Sequence, residues 1–157
     1  MTSIEKIFIV LLTSTMIGCV TPLPLEEEPS WVLTNDDGAE LLVFRESGSH
    51  TKFAPLYFGS ETVFTHRLNE NEYFQLAVRP GEHKFRVGGN GAEPAEIAVV
   101  LESGTTTCVR LGTRADAWVS LIEIPYNSAI EAYALAVISC PSKVELGTLR
   151  KVSGKEM

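Results

Sequence analysis

The sequence predicts a mainly β protein, formed by a single small β-sandwich with one helix near its carboxyl terminus. Short apolar segments recur at a spacing of about 8–12 residues, and several of them alternate apolar with polar side chains. Turn signals rich in Gly, Pro, Asn and Ser separate these segments. This pattern is typical of a sandwich or a barrel, and we predict the sandwich.

The first predicted strands lie between residues 39 and 67. Glu40–Arg45 carries four consecutive apolar residues and is predicted to be a strand. Segments 55–58 and 62–67 flank Gly59-Ser60-Glu61, and we expect this tripeptide to close a hairpin.

The clearest hairpin pattern follows at residues 73–87. Segment 73–78 alternates, with Phe74, Leu76 and Val78 on one face, and segment 82–87 alternates again, with Phe85 and Val87 on one face. Between them, Arg79-Pro80-Gly81 is a turn signal, because Pro fixes φ and Gly can adopt positive φ. We therefore predict that the two segments pair as a hairpin.

The second half of the domain continues this pattern with one exception. The segments 97–101, 105–111 and 118–124 are predicted to be strands. Ser128-Ala-Ile-Glu131 fits a capping box, and the apolar residues after it fall at helical spacing. We predict a helix at 129–139, with a strand as the alternative because 135–138 is apolar throughout.

The amino-terminal segment has the features of a bacterial lipoprotein signal. Residues 7–17 form a largely apolar run of about eleven residues, which is the length of a signal-peptide core and shorter than a transmembrane helix. Met16-Ile17-Gly18-Cys19 resembles the lipobox of bacterial lipoproteins. The resemblance implies cleavage before Cys19 and attachment of several lipid chains, such as palmitate, at that residue. An ordinary secretory signal and an uncleaved anchor remain alternatives.

These features predict how the chain is divided and where it is located. Val20 follows Cys19 where an inner-membrane retention signal usually has Asp, so the resemblance implies the outer membrane, facing the periplasm. We expect a signal peptide at 1–18, the lipidated Cys19 and a Pro/Glu-rich tether at 19–37, the β-sandwich at 38–150 and a disordered tail at 151–157.

Two cysteines remain once Cys19 is assigned to lipid. Cys108 and Cys140 could form a disulfide in the oxidising periplasm, or they could be separate buried thiols. The chain contains no C-x-x-C sequence, so nothing favours a redox enzyme.

A central motif resembles that of uncharacterised bacterial lipoproteins. It consists of Arg79-Pro-Gly-Glu-His83 after the aromatic pair Tyr73-Phe74, together with Val43-Phe44-Arg45 and Gly104-Thr105. The likeness covers roughly residues 38–125. It implies a transthyretin-like or related, Ig-like β domain, and it implies no activity.

The remaining motifs favour binding over catalysis. The three histidines, His50, His66 and His83, lack metal-ligand spacing, and no nucleophile motif or phosphate-binding loop is present. We expect no catalytic residues, no metal and no cofactor. An enzyme would need His66 or His83 beside a carboxylate or a serine in a cleft.

Charge and aromatic residues indicate the kind of partner. The net charge of −7 gives no electrostatic attraction to nucleic acid, so we expect no nucleic-acid partner. Several cations, Arg45 and Arg67 among them, fall on strands of the predicted sheet and could form a local basic stripe. We predict that a binding surface includes Tyr73, Arg79, His83 and Arg86. The expected contacts are the membrane, through the lipid anchor, and an envelope protein; a small ligand or glycan is the alternative to the protein.

Overall fold

The computed structural model describes residues 23–27, 29–33, 38–46, 55–89, 93–113 and 133–153. The predicted leader with Cys19 and the predicted strand at 118–124 lie outside these residues. Within the described ranges, no helix combines the length and the apolar character needed to cross a bilayer.

Two β-sheets pack face to face in the described part of the chain, which confirms the predicted β-sandwich. The larger sheet has the order β1-β5-β2-β8-β9, with β10 also beside β5, and the smaller sheet has the order β4-β3-β6-β7. The elements are β1 (Val32–Leu33), β2 (Ala39–Arg45), β3 (Leu56–Ser60), β4 (Phe64–Leu68), β5 (Glu72–Val78), β6 (Gly81–Gly88), β7 (Ala95–Leu101), β8 (Thr106–Thr113), β9 (Tyr133–Ile138), α1 (Lys143–Leu146) and β10 (Arg150–Lys151).

Alternating side chains of both sheets meet in an aromatic core. Phe74 of β5 and Phe85 of β6 both pack against Phe58 of β3, with ring centroids 5.5 and 5.2 Å from the Phe58 ring. All three side chains are buried. The predicted inward faces of 73–78 and 82–87 are therefore correct.

The predicted hairpin between these two segments is nevertheless wrong. Strand β5 belongs to the larger sheet and β6 to the smaller sheet, so Arg79-Pro80-Gly81 carries the chain across the core. Gly81 adopts φ +135° in this crossover, a value that a side chain strongly disfavours. A hairpin and a crossover need the same turn residues and the same alternation, which is why the sequence pattern does not separate them.

The other predicted hairpin, between segments 55–58 and 62–67, is confirmed. Strands β3 and β4 pair antiparallel, and the register shifts between Phe58 and Gly59. A side chain at Gly59 would collide with the carbonyl oxygen of Val63, since a Cβ there would lie 1.9 Å away. Glycine is required where the two strands approach this closely.

The predicted helix at 129–139 is wrong for the residues that the structure describes. Residues 133–138 form β9, antiparallel to β8, and residues 129–132 lie outside the described ranges. Leu135 packs on the main core, whereas Ile138 packs on the opposite face of the sheet. The alternative prediction of a strand is therefore confirmed for these residues. Apolar side chains that pack on both faces remove the alternation that would identify the strand.

The helix observed near the carboxyl terminus is α1. Ser142 caps it by accepting a hydrogen bond from the backbone N–H of Glu145, and the Glu145 carboxylate accepts one from the Ser142 backbone N–H. This Ser-x-x-Glu capping box is the same signal that the sequence also presents at 128–131.

Residues 139–149, which we call the strap, cross the outer face of the larger sheet. At one end, Cys140 forms a disulfide with Cys108 of β8. In the middle, Leu146 and Leu149 pack on a second apolar cluster around Leu42 and Phe44. At the other end, the chain continues into β10, beyond β5. The strap therefore spans four strand spacings, or about 19 Å.

Both predicted termini of the domain need correction. Lys151 belongs to β10 and Val152 is buried in the core, so these residues are not part of a disordered tail. At the other end of the chain, Val32–Leu33 pairs with β5, and Trp31 packs against the core. The backbone N–H of Glu26 also donates to the carbonyl of Phe64, at 2.9 Å, so part of the predicted tether is attached to the domain.

We predict that the double substitution Cys108→Ala with Cys140→Ala lowers the free energy of unfolding by about 3–4 kcal/mol, because the cross-link closes a loop of 32 residues. Urea unfolding of the oxidised wild type and of the variant measures the difference. Wild type treated with a reductant is the matched control and should behave like the variant. A loss below about 1 kcal/mol would contradict a stabilising role for the cross-link.

Candidate functional site

The four residues of the predicted binding surface do not form one surface. Tyr73 lies on β5, where its side chain packs with the second apolar cluster beneath the strap. Arg79, His83 and Arg86 belong to the crossover and to β6 of the other sheet. The structure therefore keeps these three residues as one neighbourhood and places Tyr73 elsewhere.

His83 is held by its surroundings on β6. Its Nε2–H donates to the carbonyl oxygen of Arg79 at 2.7 Å. The ring lies 5.4 Å from the Trp31 ring and stacks on Phe85 at 5.8 Å, measured between centroids. The Arg79 backbone N–H in turn donates to the Trp31 carbonyl at 2.8 Å. His83 thus fastens the crossover beneath Trp31.

Arg86 and Lys84 face the outer side of the smaller sheet, where both contact Glu61. The Lys84 ammonium lies 3.2 Å from the Glu61 carboxylate, and Arg86 donates to the Glu61 carbonyl at 2.9 Å. The Arg86 guanidinium also lies over the Phe64 ring, 4.4 Å from its centroid. Lys84 thus contacts a carboxylate, and Arg86 contacts a carbonyl and an aromatic ring, so both cations already have partners within the fold.

One surface cleft lies beside this group. It has a volume of about 510 Å³, and a second cleft described below has a volume of about 470 Å³. Trp31 and His83 form one part of its lining, and Glu61, Glu82 and Lys84 supply its charges. An aromatic ring beside carboxylates and an ammonium group is suited to a polar ligand.

The second cleft lies on the outer face of the larger sheet, next to the strap. Its floor contains a row of polar side chains from three neighbouring strands, in which Gln75 and Thr106 both donate to the Glu40 carboxylate. Lys151 of β10 also lines the cleft. The two donors engage both oxygens of Glu40, so this carboxylate is already bound within the fold.

A buried charge cluster closes one end of the sandwich core. Arg45 is fully buried and donates to the carbonyl of Leu68 at 3.2 Å. Glu72 lies directly opposite Arg45 in the β2–β5 register. The Glu72 carboxylate also accepts from the Asn69 backbone N–H at 2.7 Å and forms an ion pair with Arg150. The cluster joins β2, the β4–β5 turn, β5 and β10.

The pKa values of this cluster report the balance between burial and pairing. Burial lowers the pKa of Arg45, while the charges of Glu70 and Glu72 oppose that change. Burial by itself would raise the pKa of Glu72, but hydrogen bonds from Arg150 and Asn69 outweigh it, and the net pKa is lowered. Both groups are therefore charged at neutral pH; the charges of Glu70 and Glu72 favour the charged form of Arg45, and Arg150 and Asn69 favour the charged form of Glu72.

His66 is buried inside the sandwich. Its ring stacks on Phe74 with centroids 4.0 Å apart, and its Nδ1 lies 2.9 Å from the Thr65 hydroxyl. Burial lowers the pKa of His66 to about 4, so the ring is neutral at physiological pH. His66 is consequently a packing residue in this fold.

The expected basic stripe is incorrect at Arg45, which points into the core. The alternation of β2 contains the signal that would have placed it, since Leu41, Val43 and Arg45 share one face. Glu72 is likewise in phase with the inward-facing Phe74. Opposite charges in the inward phase of two strands indicate a buried charge cluster, and this signal was present in the sequence.

Across the described ranges, no group of three or more His, Cys, Asp or Glu side chains is arranged to hold a metal ion. In comparisons with known proteins, no family model and no curated protein matches this chain.

Glu72→Gln is expected to lower the free energy of unfolding by about 3 kcal/mol, because it removes a charge that compensates the buried Arg45. Glu61→Gln is the matched control. Its ion pair with Lys84 is more than half exposed on both sides, so its loss should cost less than about 1 kcal/mol. Urea unfolding at neutral pH compares the two variants, and equal losses would contradict the assignment of Glu72 as a buried partner.

Stability should also depend on the protonation of His66. Its pKa in the folded state, about 4, lies below the ordinary value of 6.5, so the unfolded chain takes up the proton at a higher pH. The contribution of His66 to stability is therefore complete above pH 6.5 and is lost as the pH falls towards 4. Between pH 7 and pH 5 the loss should be about 2 kcal/mol.

His66→Phe keeps an aromatic ring against Phe74 and removes the titrating group. Urea unfolding of both proteins at several pH values should show that the wild type loses more stability than the variant over this range. Parallel pH profiles for the two proteins would rule out His66 as the titrating group.

Proposed function

We propose that this protein is a lipoprotein of the bacterial outer membrane, anchored through Cys19 and facing the periplasm, whose β-sandwich is a non-enzymatic binding or scaffolding module for another envelope protein. The proposal requires no cofactor. It combines the lipobox-like sequence at 16–19 with the fold of the described residues.

The observation that carries the proposal is the Cys108–Cys140 disulfide. Disulfides persist in oxidising compartments and are rare in the cytosol. With these two cysteines paired, Cys19 is the remaining cysteine of the chain, and it lies at the end of the apolar leader. A pair of cysteines in the domain and a lone cysteine in the leader therefore support the same location.

The surroundings of His66 and His83 support a role without catalysis, whereas the third histidine, His50, lies outside the described residues. His66 lies flat against Phe74 in the core, and His83 is bonded to a backbone carbonyl beneath Trp31. Both rings are used to pack the sandwich, and the buried carboxylate of Glu72 is used to pair with Arg150.

A protein partner is favoured by the edge formed by β7 and β9. These are the last strands of their sheets in the described part of the chain. Each carries an exposed valine, with Val100 of β7 67% and Val137 of β9 49% exposed. Strand edges with apolar side chains are surfaces to which another chain can add.

Ligand binding is the second candidate function, and the cleft beside Trp31 favours it. The indole, the carboxylates of Glu61 and Glu82 and the Lys84 ammonium surround a space large enough for a sugar unit. A polymeric periplasmic glycan would suit this lining.

Cys19→Ala is expected to leave the domain folded and to release it from membranes, because the lipid chains supply the attachment. Membrane fractionation of cells that produce the wild type or the variant measures this directly. Cys108→Ala is the control for loss of a cysteine and should remain in the membrane fraction. Recovery of Cys19→Ala in the membrane pellet would contradict the anchor.

Crosslinking in intact cells distinguishes the two binding functions. Photocrosslinkers placed at Val100 and Val137 should capture one defined envelope protein, whereas a crosslinker at Glu82 should not. Protein capture at Glu82 alone would contradict the β7–β9 edge as the binding surface. No capture at any position, together with glycan binding that Trp31→Ala abolishes, would favour the ligand-binding function.

A further inference from the structure

The segment that precedes β1 fixes one edge of the sandwich close to any lipid on Cys19. Residues 23–27 and 29–33 contact the edge strand β4 of the smaller sheet and β5 of the larger sheet. The contacts are the hydrogen bond from Glu26 to Phe64, the packing of Trp31 on Phe85 and the pairing of Val32–Leu33 with β5. The half-buried residues along this path are Leu23, Leu25 and Pro29. We call this side of the domain the β4 edge.

The chain that remains between the lipid and this edge is short. Residues 19–25 precede the Glu26 contact, and a fully extended chain rises by at most about 3.4 Å per residue. The Phe64 carbonyl therefore lies within about 24 Å of the Cys19 backbone.

A domain of this size is wider than that reach. A chain of 139 residues has a radius of gyration of about 14 Å, which corresponds to a compact body about 37 Å across. The opposite side of the sandwich is formed by β7 and β9, which are three and four strands from β4 and β1 in their sheets. Three to four strand spacings are about 14–19 Å. The β7–β9 side can therefore face the bilayer only if the chain between Cys19 and Glu26 runs back along the domain for more than half of its reach, whereas the β4 edge can face it without such a path.

We propose that the β4 edge is the membrane-facing surface of the domain, and that the β7–β9 edge points away from the bilayer. The inference rests on the proposed lipid anchor. In this orientation the β4 edge lies next to the polar surface of the bilayer, because the short chain between Cys19 and Glu26 keeps this edge close to the lipid. Glu26 and Glu27 are exposed in the attached segment, and anionic headgroups repel carboxylates. The edge is therefore kept near the bilayer by the anchor and not by charge attraction.

The orientation makes the β7–β9 edge the accessible side for a periplasmic protein. Val100 and Val137 lie on it. A partner that is itself anchored in another layer of the envelope would reach this side without displacing the domain from its own membrane.

Electron paramagnetic resonance on the acylated protein tests the orientation. A nitroxide is attached through a genetically encoded ketone at Arg67 of β4 or at Glu96 of β7, both exposed, so that the cysteines are left intact. The protein is reconstituted into vesicles of phosphatidylethanolamine and phosphatidylglycerol that contain a lipid with a gadolinium chelate on its headgroup. Relaxation of the label at Arg67 should be enhanced several-fold more than that of the label at Glu96. Equal enhancement, or a larger effect at Glu96, in vesicle-bound protein would overturn the orientation.

Two substitutions at one position test the contact that sets the reach. Glu26→Pro removes the backbone N–H that donates to Phe64, whereas Glu26→Ala removes the same side chain and keeps that N–H. Without the contact, residues 19–30 are available to span about 41 Å, which exceeds the width of the domain. The ratio of enhancements between the two labels should fall towards one in Glu26→Pro and stay at the wild-type value in Glu26→Ala. An unchanged ratio in Glu26→Pro would overturn the role of the docked segment.

Failure of the orientation can be distinguished from failure of the anchor. If residue 19 carries no lipid and the protein does not sediment with vesicles, the proposed function fails. If the protein is acylated and vesicle-bound but the two labels respond equally, the anchor stands and only the orientation fails.

Discussion

The larger sheet depends on a cover for its outer face, and the Cys108–Cys140 disulfide secures that cover. The smaller sheet buries the inner face, but Leu42 and Phe44 point the other way and need apolar contacts of their own. The strap supplies these contacts with few apolar side chains, since α1 has no buried residue and Val144 is 80% exposed. A segment with so few apolar contacts is held mainly at its ends, by the disulfide on one side and by β10 on the other. The covalent link thereby substitutes for the apolar area that the strap lacks.

At one end of the core, two charged side chains are buried. Arg45 and Glu72 both occupy inward-facing positions, where an unpaired charge would be costly. Their placement directly opposite each other requires the observed β2–β5 register, because a slip of one residue in either strand would turn the charged side chain of that strand to the outer face. Arg150 ties the last strand to the same carboxylate. The cluster therefore couples the alignment of two central strands to the docking of the carboxyl-terminal segment.

Local sequence patterns predict those strands that bury one face and expose the other. Strands β5 and β6 alternate cleanly, and their inward residues were assigned correctly from the sequence. It was harder to predict which strands pair with each other, because Arg79-Pro80-Gly81 suits a hairpin and a crossover equally well. Strand β9 was predicted only as the alternative to a helix, because Leu135 packs on the main core and Ile138 on the opposite face, so the segment does not alternate.

The candidate site shows the same limit in another form. The sequence grouped Tyr73 with Arg79, His83 and Arg86 because it placed them on one hairpin, and the crossover separates them. The importance of Trp31 could not be predicted from its own surroundings, since the Pro- and Glu-rich residues before it are typical of a flexible tether. Its contacts with His83 and Phe85 arise only when the two sheets are assembled.

The functional account joins a compact sandwich, an oxidised cysteine pair and a lipid-bearing cysteine in one chain. Intact mass spectrometry of the protein purified from native membranes, followed by peptide mapping without reduction, tests that combination most directly. The account predicts a chain that begins at an acylated Cys19 and contains a Cys108–Cys140 cross-linked peptide pair. A chain that retains residues 1–18 with an unmodified Cys19 would contradict it.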